Sequence, residues 1–397
     1  MNASPNTRIP STDEHAAAFM QRVRAILPQI AERVGATEEQ RSLPAENIQA
    51  LRDAGVVRAL VPARYGGTEI DLVDFLQAQR LIASHCPSTG WCAGLAATHA
   101  HGITYHDRKA QDEIWAQGPD VIVSSSFAPV VTAQKVPGGY QLTDGKWDFS
   151  SGVDHASWVQ LGFRVAGADE GESWLGLLPR SDFEIVDNWD TVGLRGTGSK
   201  RVTVRSAFVP EYRCWGPGLN APAINPDLYD SWIFRVPFTG TATNFLATVL
   251  GAADGAVAAY TDGLKKRVRP HTGKMRLDNP MSYIRLAEAV MDLRAATAIA
   301  ERVWQGMKQR AITGVQPTVD EIFVGRGDEA YSARLAIKAV DTLMNAAGGS
   351  ATMRARPLQK YWRDIHAAGG HLFFDLENRL VIVGRHLMGL PPDPYLI

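Results

Sequence analysis

The spacing of apolar residues predicts helices throughout the first part of the chain. Asp13 can cap a helix through AAAFMQRVRAILPQIAERV, and Asp71 can open another through LVDFLQAQRLIASH. Between them, Pro44 near a helix start and Gly55 at its end delimit the segment AENIQALRDAG. Pro87 opens a further helix, GWCAGLAATHAHGITYH. This part of the chain is therefore expected to form a helical domain.

Between about Val121 and Pro210 the pattern changes to that of short strands. The run VIVSSSF is rich in residues that favour strands, and AQKVPGGYQLTDGKWDF contains two turn signals. The segments SWVQLGFRV, SWLGLLPR, FEIVDNW and KRVTVRSAFV follow at short spacing. This density of strands predicts an antiparallel barrel or sandwich.

Long amphipathic helices return near Phe238 and continue almost to the end of the sequence. Four are predicted: from near Thr241 towards Lys266, after Pro280, from Val319 to Asn345, and from near Leu358 to Met388. In the second of these, one apolar stripe recurs at three- and four-residue steps and is formed by Tyr283, Leu286, Val290 and Leu293. Long helices without intervening strands indicate a helical bundle.

These patterns place the chain in the α+β class, with mainly helical content. Residues 1–12 are expected to be a disordered lead-in, and residues 13–119 an N-terminal helical domain. Residues 120–228 are expected to form a central antiparallel β-domain, and residues 229–397 a C-terminal four-helix bundle.

Composition narrows the classes of function. The 397 residues are 45% hydrophobic and 21% charged, with a net charge of −1, so neither nucleic acid nor a membrane surface is expected as a partner. No stretch has the length and apolarity of a transmembrane helix, and the start has no signal-peptide pattern. The three cysteines, Cys86, Cys92 and Cys214, predict small buried residues in a reducing cytoplasm rather than a disulfide framework.

Several motifs that would identify other enzymes do not occur. The sequence contains no G-x-G-x-x-G, Walker loop, H-E-x-x-H or G-x-S-x-G. His99, His101 and His106 are predicted to share one helix, where an H-x-H pair diverges by about 200°. With no carboxylate spaced to help, no metal site is expected there.

Local segments resemble the acyl-CoA dehydrogenase superfamily over nearly the whole chain. KWDFSSG is similar to the segment that runs behind the flavin ring in that superfamily, and VIVSSSFAP to the strand at the pyrimidine side of the ring. RPHTGK resembles an R-x-x-F-G-K run whose Arg contacts cofactor phosphates, with Thr272 in place of the aromatic. Gly348-Gly349 stands where the superfamily has a Gly-rich turn near the cofactor.

The resemblance departs from the dehydrogenases at one informative position. Many members carry their catalytic Glu shortly after an R-D pair, and counting from Arg363-Asp364 that position is Leu372. His371 stands beside the missing carboxylate. R-D followed by H-x-x-F, together with SSSFAP, DFSSG, the Gly-Trp pair near residue 90 and His99, is similar to the flavin-dependent monooxygenase branch. That branch holds the oxygenase components of two-component hydroxylases.

The resemblance implies roles for two histidines. His371 would be a base or hydrogen-bonding group at the substrate hydroxyl or ring nitrogen, which suits imidazole because it titrates near neutral pH. The alternative is a structural histidine packed by Phe373 and Phe374. His99 would line the pocket near the flavin, and its alternative is a polar-face histidine. Whether His99 or His101 faces the flavin stays open.

The serines and the remaining cofactor residues follow from the same resemblance. Ser126 and Ser151 are expected to be catalytic, as hydroxyls near flavin N5 and the substrate; the alternative is strand serines bonded to the backbone. Arg269 and Arg267 would bind a flavin phosphate through charge-assisted hydrogen bonds. The alternative is that they form the basic end of a helix and compensate its dipole. Trp91 would contact the flavin or substrate, or be a core aromatic. The full set of expected cofactor-binding residues is Trp91, Ser124, Ser125, Ser126, Phe149, Ser150, Ser151, Arg267, Arg269, Gly348 and Gly349.

The function implied is a flavin-dependent monooxygenase that receives reduced flavin, FADH2 or FMNH2, from a separate NAD(P)H:flavin reductase. Through a C4a-hydroperoxyflavin it would hydroxylate a phenol- or indole-type ring. A homotetramer or homodimer is expected by analogy with the family. Three alternatives remain: an acyl-CoA dehydrogenase with a relocated base such as Glu288, an N- or S-oxygenase, and a non-catalytic flavin-fold protein.

Overall fold

The computed structural model describes residues 13–391, except residues 170, 267, 269–272 and 274. The helices before the sheet are α1 Asp13–Glu32, α2 Val34–Gln40, α3 Ala45–Asp53, α4 Leu72–His85, α5 Pro87–Ile103 and α6 Arg108–Ile114. Those after it are α7 Asn244–Lys266, α8 Pro280–Thr313, α9 Val319–Ala347, α10 Pro357–Gly369 and α11 Leu376–Leu387.

The predicted helix starts are confirmed by local capping. The Asp71 carboxylate accepts the backbone N–H of Val73 at 2.8 Å and opens α4. The side chain of Asn279 accepts from the second residue of α8, whose first residue is proline. Thr318 and Glu321 form a reciprocal capping box at the start of α9. These signals lie within a few residues of each start, so sequence alone could locate them.

Among the described residues, eight strands form the sheet region: β1 Val123–Ser126, β2 Thr132–Val136, β3 Gly139–Ser150, β4 Trp158–Val165, β5 Trp174–Pro179, β6 Glu184–Val186, β7 Lys200–Pro210 and β8 Cys214–Trp215. Their order is β6-β7-β3-β2-β4-β5-β8, and β1 pairs with β4. Along one face Trp147 is fully buried, and its indole N–H donates to the carbonyl of Gly162 at 2.8 Å.

The expectation of a wholly antiparallel sheet is wrong. Both β1 and β2 pair with β4 in the parallel sense, at successive parts of its length. The short segment between β1 and β2 bends the chain without reversing it, so both strands run in one direction along β4. Gly162 lies at this bend, where an added Cβ would stand 2.1 Å from the carbonyl oxygen of Phe127. Only glycine allows that approach.

The prediction of one last helix from Leu358 to Met388 is also wrong. Helix α10 ends at Gly369, and α11 begins only after the side chain of Asp375 accepts the backbone N–H of Asn378 at 3.3 Å. The backbone of His371 between them is extended, with φ −69° and ψ 139°. Two consecutive glycines end the first helix, and an aspartate cap starts the second. His371 therefore lies in a connector rather than on a helix.

Two further expectations need correction. In the predicted stripe of α8, Leu293 is buried but Tyr283 is 47% exposed, because the first half of that helix is only partly covered within its own unit. The stretch Phe238–Lys266 is long and apolar enough to cross a membrane by length and composition, contrary to the sequence expectation. Its most apolar window is 67% buried in protein, as is usual for a core helix.

The predicted α+β class with mainly helical content is confirmed, since helices precede and follow the sheet along the chain. Two compact units divide the chain. Unit 1 comprises residues 1–75, 92–190 and 195–242, and unit 2 comprises residues 76–91, 191–194 and 243–397. Within unit 2, α9 packs against α7, α8, α10 and α11. The three domain boundaries drawn from the sequence stay a prediction.

Candidate active-site residues

In unit 1, His99 on α5 is bonded at both ring nitrogens to strand β1. Its Nδ1 lies 2.7 Å from the carbonyl oxygen of Val123, and its Nε2 lies 2.8 Å from the hydroxyl of Ser125. A carbonyl can only accept, so Nδ1 carries the proton and Nε2 accepts from Ser125. Burial lowers the pKa of His99 to about 4, which keeps this ring neutral.

The neighbouring serines connect three strands of the same unit. The hydroxyl of Ser124 donates to the carbonyl of Ser151 at 2.9 Å. The Oγ of Ser151 lies 2.7 Å from that of Ser199, which lies 2.7 Å from Oγ1 of Thr197. The Ser124 hydroxyl thus bonds the backbone, as the structural alternative expected, whereas the Ser151 hydroxyl bonds another hydroxyl.

Ser150 differs from its neighbours. It is fully buried, and its hydroxyl has no hydrogen-bond partner among the described residues. A buried hydroxyl without a partner costs free energy unless a ligand satisfies it. The preceding residue, Phe149, has φ +65° and a ring that is 73% exposed, while Ser126 at the end of β1 is partly exposed. The strained residue Phe149 and the unpartnered hydroxyl of Ser150 thus lie next to each other in the DFSSG segment.

The other two histidines of this region have structural partners. His101 donates from Nε2 to the carbonyl of Ile233 at 2.9 Å, and its ring stacks on Phe234. His106 is not on α5, because that helix ends at Ile103; its Nε2 lies 2.7 Å from the side-chain amide of Gln160. Burial lowers the pKa values of His101 and His106 to about 4 and about 3. Within the described residues, no group of three or more His, Cys, Asp or Glu could hold a metal ion.

In unit 2, His371 lies against aromatic rings. Its ring centroid is 4.1 Å from that of Phe245 and 5.7 Å from that of Trp91, and the Phe245 and Trp91 centroids are 4.7 Å apart. Phe373 packs at the edge of Phe245, with centroids 6.1 Å apart. These four rings, Trp91, Phe245, His371 and Phe373, are called the aromatic box below. Trp91 is only 6% exposed, so the core-aromatic alternative also describes it.

The tautomer of His371 follows from its own connector. Its Nδ1 accepts the backbone N–H of Phe373 at 3.2 Å, so in the neutral ring the proton is on Nε2. No protein hydrogen bond from Nε2 occurs among the described residues. Burial lowers the pKa of His371 to about 4, so the ring is neutral near pH 7. An N–H donor without a protein partner is thus held beside aromatic rings.

A second feature of unit 2 is a polar cavity of about 450 Å³ beside the end of α9. Arg285, Asn345 and Asn279 contribute to its lining, and Gly348 ends α9 with φ +75° and ψ 169°, a conformation that requires glycine. The lining residues are Tyr260, Asn279, Met281, Ser282, Arg285, Thr342, Asn345 and Ala346. The predicted phosphate ligands Arg267 and Arg269 lie outside the described residues.

Sequence reasoning missed several residues of these clusters. Phe245 is one apolar residue in a helix start, NFLATVL, and nothing local distinguishes it. Arg285 and Asn345 are about sixty residues apart in the sequence, so only the packing of α8 against α9 brings them to one cavity. Glu288, considered as a relocated base, forms an ion pair with Arg285 at 2.7 Å.

Comparison with known proteins gives the class first. Residues 12–117 match the family acyl-CoA dehydrogenase, N-terminal domain, and residues 244–376 match acyl-CoA dehydrogenase, C-terminal domain. Together with the helix–sheet–helix order, these matches show that the chain belongs to the acyl-CoA dehydrogenase superfamily.

The particular branch follows from full-length relatives. The chain is 36% identical over 397 residues to p-hydroxyphenylacetate 3-hydroxylase, oxygenase component, from Acinetobacter baumannii, covering 98% of this chain and 94% of that protein. The crystal structure of the HsaA monooxygenase from M. tuberculosis is similar with a TM-score of 0.89 and 34% identity, covering 96% of this chain and 100% of that one. The structure of XiaF from Streptomyces sp., in complex with FADH2 and glycerol, is similar with a TM-score of 0.89 and 28% identity, covering 96% of this chain and 97% of that one. The chain is an oxygenase component of the flavin-dependent two-component monooxygenases.

Proposed function

We propose that this chain hydroxylates a phenolic ring, and that His371 holds the phenol oxygen. The observation that carries the proposal is the unsatisfied Nε2–H of a neutral imidazole inside the aromatic box. The name of the Acinetobacter relative, a hydroxyphenylacetate hydroxylase, supports a phenol as substrate class. Indole-type rings, which also carry a polar atom beside a flat apolar surface, are the neighbouring possibility to be tested.

His371 acts in this proposal as a hydrogen-bond donor rather than as a base. Nε2 already carries the proton of the neutral ring, so it cannot accept the proton of the phenol as the ring stands. To act as a base, the ring would have to move its proton to Nδ1 and lose the hydrogen bond from Phe373, or become a cation where burial disfavours the charge. A neutral N–H donor instead favours the ionised form of the phenol, whose proton goes to solvent on binding. Ionisation raises electron density at the ring carbon beside the oxygen, which is where oxygen is delivered.

The aromatic box would fix the plane of the substrate ring. Phe245 and Trp91 offer flat apolar faces, and aromatic pairs prefer offset or edge arrangements at centroid separations of about 4.5–7 Å. A ring held in this way has one polar edge, directed at His371. The box would thereby choose both the orientation and the site of hydroxylation.

The residues of unit 1 fit the flavin. When bound, reduced flavin supplies the two electrons with which dioxygen gives one oxygen atom to the ring and one to water. The orphaned hydroxyl of Ser150 would donate to the ring nitrogen N5, and Ser126 would contact the same ring from the end of β1. His99 would act through Ser125, whose hydroxyl hydrogen it accepts, leaving the lone pairs of Ser125 for a ligand N–H.

The polar cavity of unit 2 is a candidate for the phosphate-bearing part of a flavin. Arg285 supplies a cation, while Asn279, Asn345 and Ser282 supply neutral donors. Gly348 and Gly349 end α9 beside it and keep the backbone free of side chains there. Arg267 and Arg269 remain predicted phosphate ligands.

The proposal includes a homo-oligomeric state and a cytoplasmic location. The first half of α8 exposes Met281, Tyr283, Ile284 and Met291, an apolar surface suited to a subunit contact in a homodimer or homotetramer. Light scattering of the purified protein tests this. The three cysteines are buried and form no disulfide, which accords with a reducing cytoplasm, where a separate reductase would supply reduced flavin.

The test of function combines the purified chain with a flavin reductase, NADH, FMN or FAD, dioxygen and a panel of phenols and indoles. We expect a product heavier by one oxygen atom, formed beside the phenol oxygen, with little hydrogen peroxide. The proposal is wrong if only hydrogen peroxide forms with every phenol. Oxidation at nitrogen or sulfur would instead show the N- or S-oxygenase alternative, and bleaching of oxidised flavin by acyl-CoA without oxygen would show a dehydrogenase.

A further inference from the structure

Two rings of the aromatic box come from different helices. Phe245 lies in the first turn of α7, and Trp91 lies near the start of α5, which follows α4 after a single residue. Their ring centroids are 4.7 Å apart, and the Phe245 ring is only partly buried, so a ligand can reach it. The separation of the two rings therefore depends on how the first turn of α7 is held against α4 and the start of α5.

Gln79, on α4, is bonded directly to that first turn. It is 1% exposed, and its Nε2 lies 2.8 Å from the carbonyl oxygen of Asn244 and 3.0 Å from Oγ1 of Thr248. Asn244 immediately precedes Phe245, and Thr248 follows it by three residues, which makes it a neighbour of Phe245 on the helix surface. Because a carbonyl can only accept, the orientation of the Gln79 amide is fixed, and Nε2 donates to α7.

The other end of the Gln79 amide is unsatisfied. With Nε2 turned to α7, Oε1 is buried and has no hydrogen-bond partner among the described residues. A buried acceptor without a partner costs folding free energy that an apolar side chain of similar size would not. Packing alone would thus favour an apolar residue at this position, which indicates that the two bonds from Nε2 have a role other than stability.

A second bond holds the residue just before α7. Oγ1 of Thr243 accepts the indole N–H of Trp304, on α8, at 2.6 Å, and both residues are buried. The ends of helices open more readily than their centres, so side chains that bond to a first turn restrict its motion. The start of α7 is therefore held by both α4 and α8. Of these two helices, only α4 leads directly into the segment that carries Trp91.

We propose that Gln79 is a positioning residue for the aromatic box, acting on Phe245 through the backbone of Asn244 and the side chain of Thr248. The inference rests on the proposed binding of the phenol ring by the box. Without the two bonds from Nε2, the first turn of α7 shifts along α4 and carries the Phe245 ring with it. A small shift is sufficient, since a misplacement of about 1 Å can cost about 100-fold in rate.

The test replaces Gln79 with methionine, which has a similar length and no amide. Gln79→Met removes both bonds to α7 together with the unpartnered acceptor, so we expect an unchanged or higher melting temperature. Gln359→Met is the matched control in the same unit. Gln359 is 6% exposed, and its Nε2 also donates to two backbone carbonyls, those of Arg356 at 3.0 Å and Arg354 at 3.2 Å.

The first readout is independent of turnover. With 5-fluorotryptophan incorporated into the full chain, 19F NMR reports the Trp91 ring, whose signal is identified by its loss in Trp91→Phe. The Phe245 ring is close enough to Trp91 for its displacement to change the ring current at the fluorine. We expect the Trp91 signal to shift in Gln79→Met and to stay in place in Gln359→Met. An unmoved signal in Gln79→Met, or an equal shift in both variants, would overturn the proposal.

The second readout is steady-state hydroxylation. In Gln79→Met we expect the KM for the phenol to rise about tenfold, with the rate of reduced-flavin oxidation in the absence of phenol unchanged. Gln359→Met should keep both values. A KM that does not change, or that rises by the same factor in both variants, contradicts a positioning role for Gln79.

Two milder variants decide the question if Gln79→Met does not fold. Thr248→Val removes one of the two acceptors at nearly the same volume, and Thr248→Ser restores it. We expect Thr248→Val to shift the Trp91 signal and to raise the KM about threefold, and Thr248→Ser to match the unaltered chain. Identical behaviour of the two variants would count against the proposal.

Failure of the proposed function has a different signature. In that case no phenol is hydroxylated, or His371→Ala hydroxylates normally. The Trp91 signal of the flavin-free protein still reports whether Gln79 positions Phe245, because that signal needs neither substrate nor turnover.

Discussion

His99 in unit 1 and His371 in unit 2 share one residue type and one protonation state but differ in what their nitrogens contact. Burial holds both pKa values near 4, so both rings are neutral at physiological pH. In His99 both nitrogens bond to strand β1, to the Val123 carbonyl and the Ser125 hydroxyl. In His371 only Nδ1 has a protein partner among the described residues, the N–H of Phe373.

The difference separates a positioning residue from a substrate-binding one. A ring whose donor and acceptor are both satisfied can orient its neighbours but has nothing left for a ligand. A partly buried ring whose N–H has no protein partner can donate that hydrogen to a ligand. The partners of the nitrogens, rather than the pKa, therefore assign the roles proposed for the two histidines.

Replacing His371 should have the largest effect. In His371→Ala, we expect product per reduced flavin to fall about 100-fold, because the donor to the phenol oxygen is lost. Flavin oxidation continues and releases hydrogen peroxide instead. The measurement is product against peroxide at saturating phenol. His366→Ala is the control, since His366, on α10, is exposed and its Nε2 lies 2.9 Å from the carboxylate of Asp341 on α9. Equal loss in both variants would remove the special role of His371.

Replacing His99 should have a smaller effect that depends on which nitrogen is imitated. Asparagine can donate to the Val123 carbonyl from near the Nδ1 position, whereas glutamine can accept from Ser125 near the Nε2 position. If Ser125 is what His99 positions, His99→Gln should retain coupling and His99→Asn should lose it about tenfold. His101→Gln controls for burial alone. The reverse order would show that the strand backbone, not Ser125, is what matters.

Replacing Ser150 tests the flavin side of unit 1. We expect Ser150→Ala to raise hydrogen peroxide release about fivefold, because one hydrogen bond to N5 of reduced flavin is absent. Affinity for reduced flavin should fall by a similar factor, measured by anaerobic titration. Ser231→Ala is a matched control, since Ser231 is also buried with an unpartnered hydroxyl in the same unit. Identical results for the two serines would leave Ser150 without a cofactor role.

Acidification should affect the two units differently. His99, His101 and His106 have folded pKa values below that of a free histidine, so the unfolded chain binds more protons between about pH 6.5 and pH 4. Unit 1 therefore loses stability as pH falls through that window. In unit 2 the lowered pKa of His371 acts in the same direction, but Glu329 has a raised pKa, so its contribution has the opposite sign and is lost as pH rises towards 7.

Amide hydrogen exchange at pH 5 and pH 8 measures this difference unit by unit. Protection in the β-region of unit 1 should decrease at pH 5 relative to pH 8, by more than protection in α7 and α9 of unit 2. Equal change in both units would contradict the assignment of the buried neutral histidines.

The pattern of apolar and polar residues predicted most helices and strands, but it missed two features of the structure. The parallel pairing of β1 and β2 with β4 escaped it, because strand direction depends on how the segment between β1 and β2 bends against Gly162. The break between α10 and α11 was visible as Gly369-Gly370, yet the flanking residues continue a helical pattern. An apolar repeat shows which face of a helix is apolar, but it does not show whether the helix continues without a break.

The sequence by itself determined the helix starts, the class of fold and the identity of the chemical groups, including a histidine beside the position where dehydrogenases carry a carboxylate. Those features are local, since a cap or an apolar repeat is complete within a few residues. Only the tertiary structure decided which nitrogen of each histidine is protonated and which serine hydroxyl has no partner. His99 meets Ser125 across 26 residues, and Phe245 meets His371 across more than a hundred, so their pairing arises only when the chain is folded.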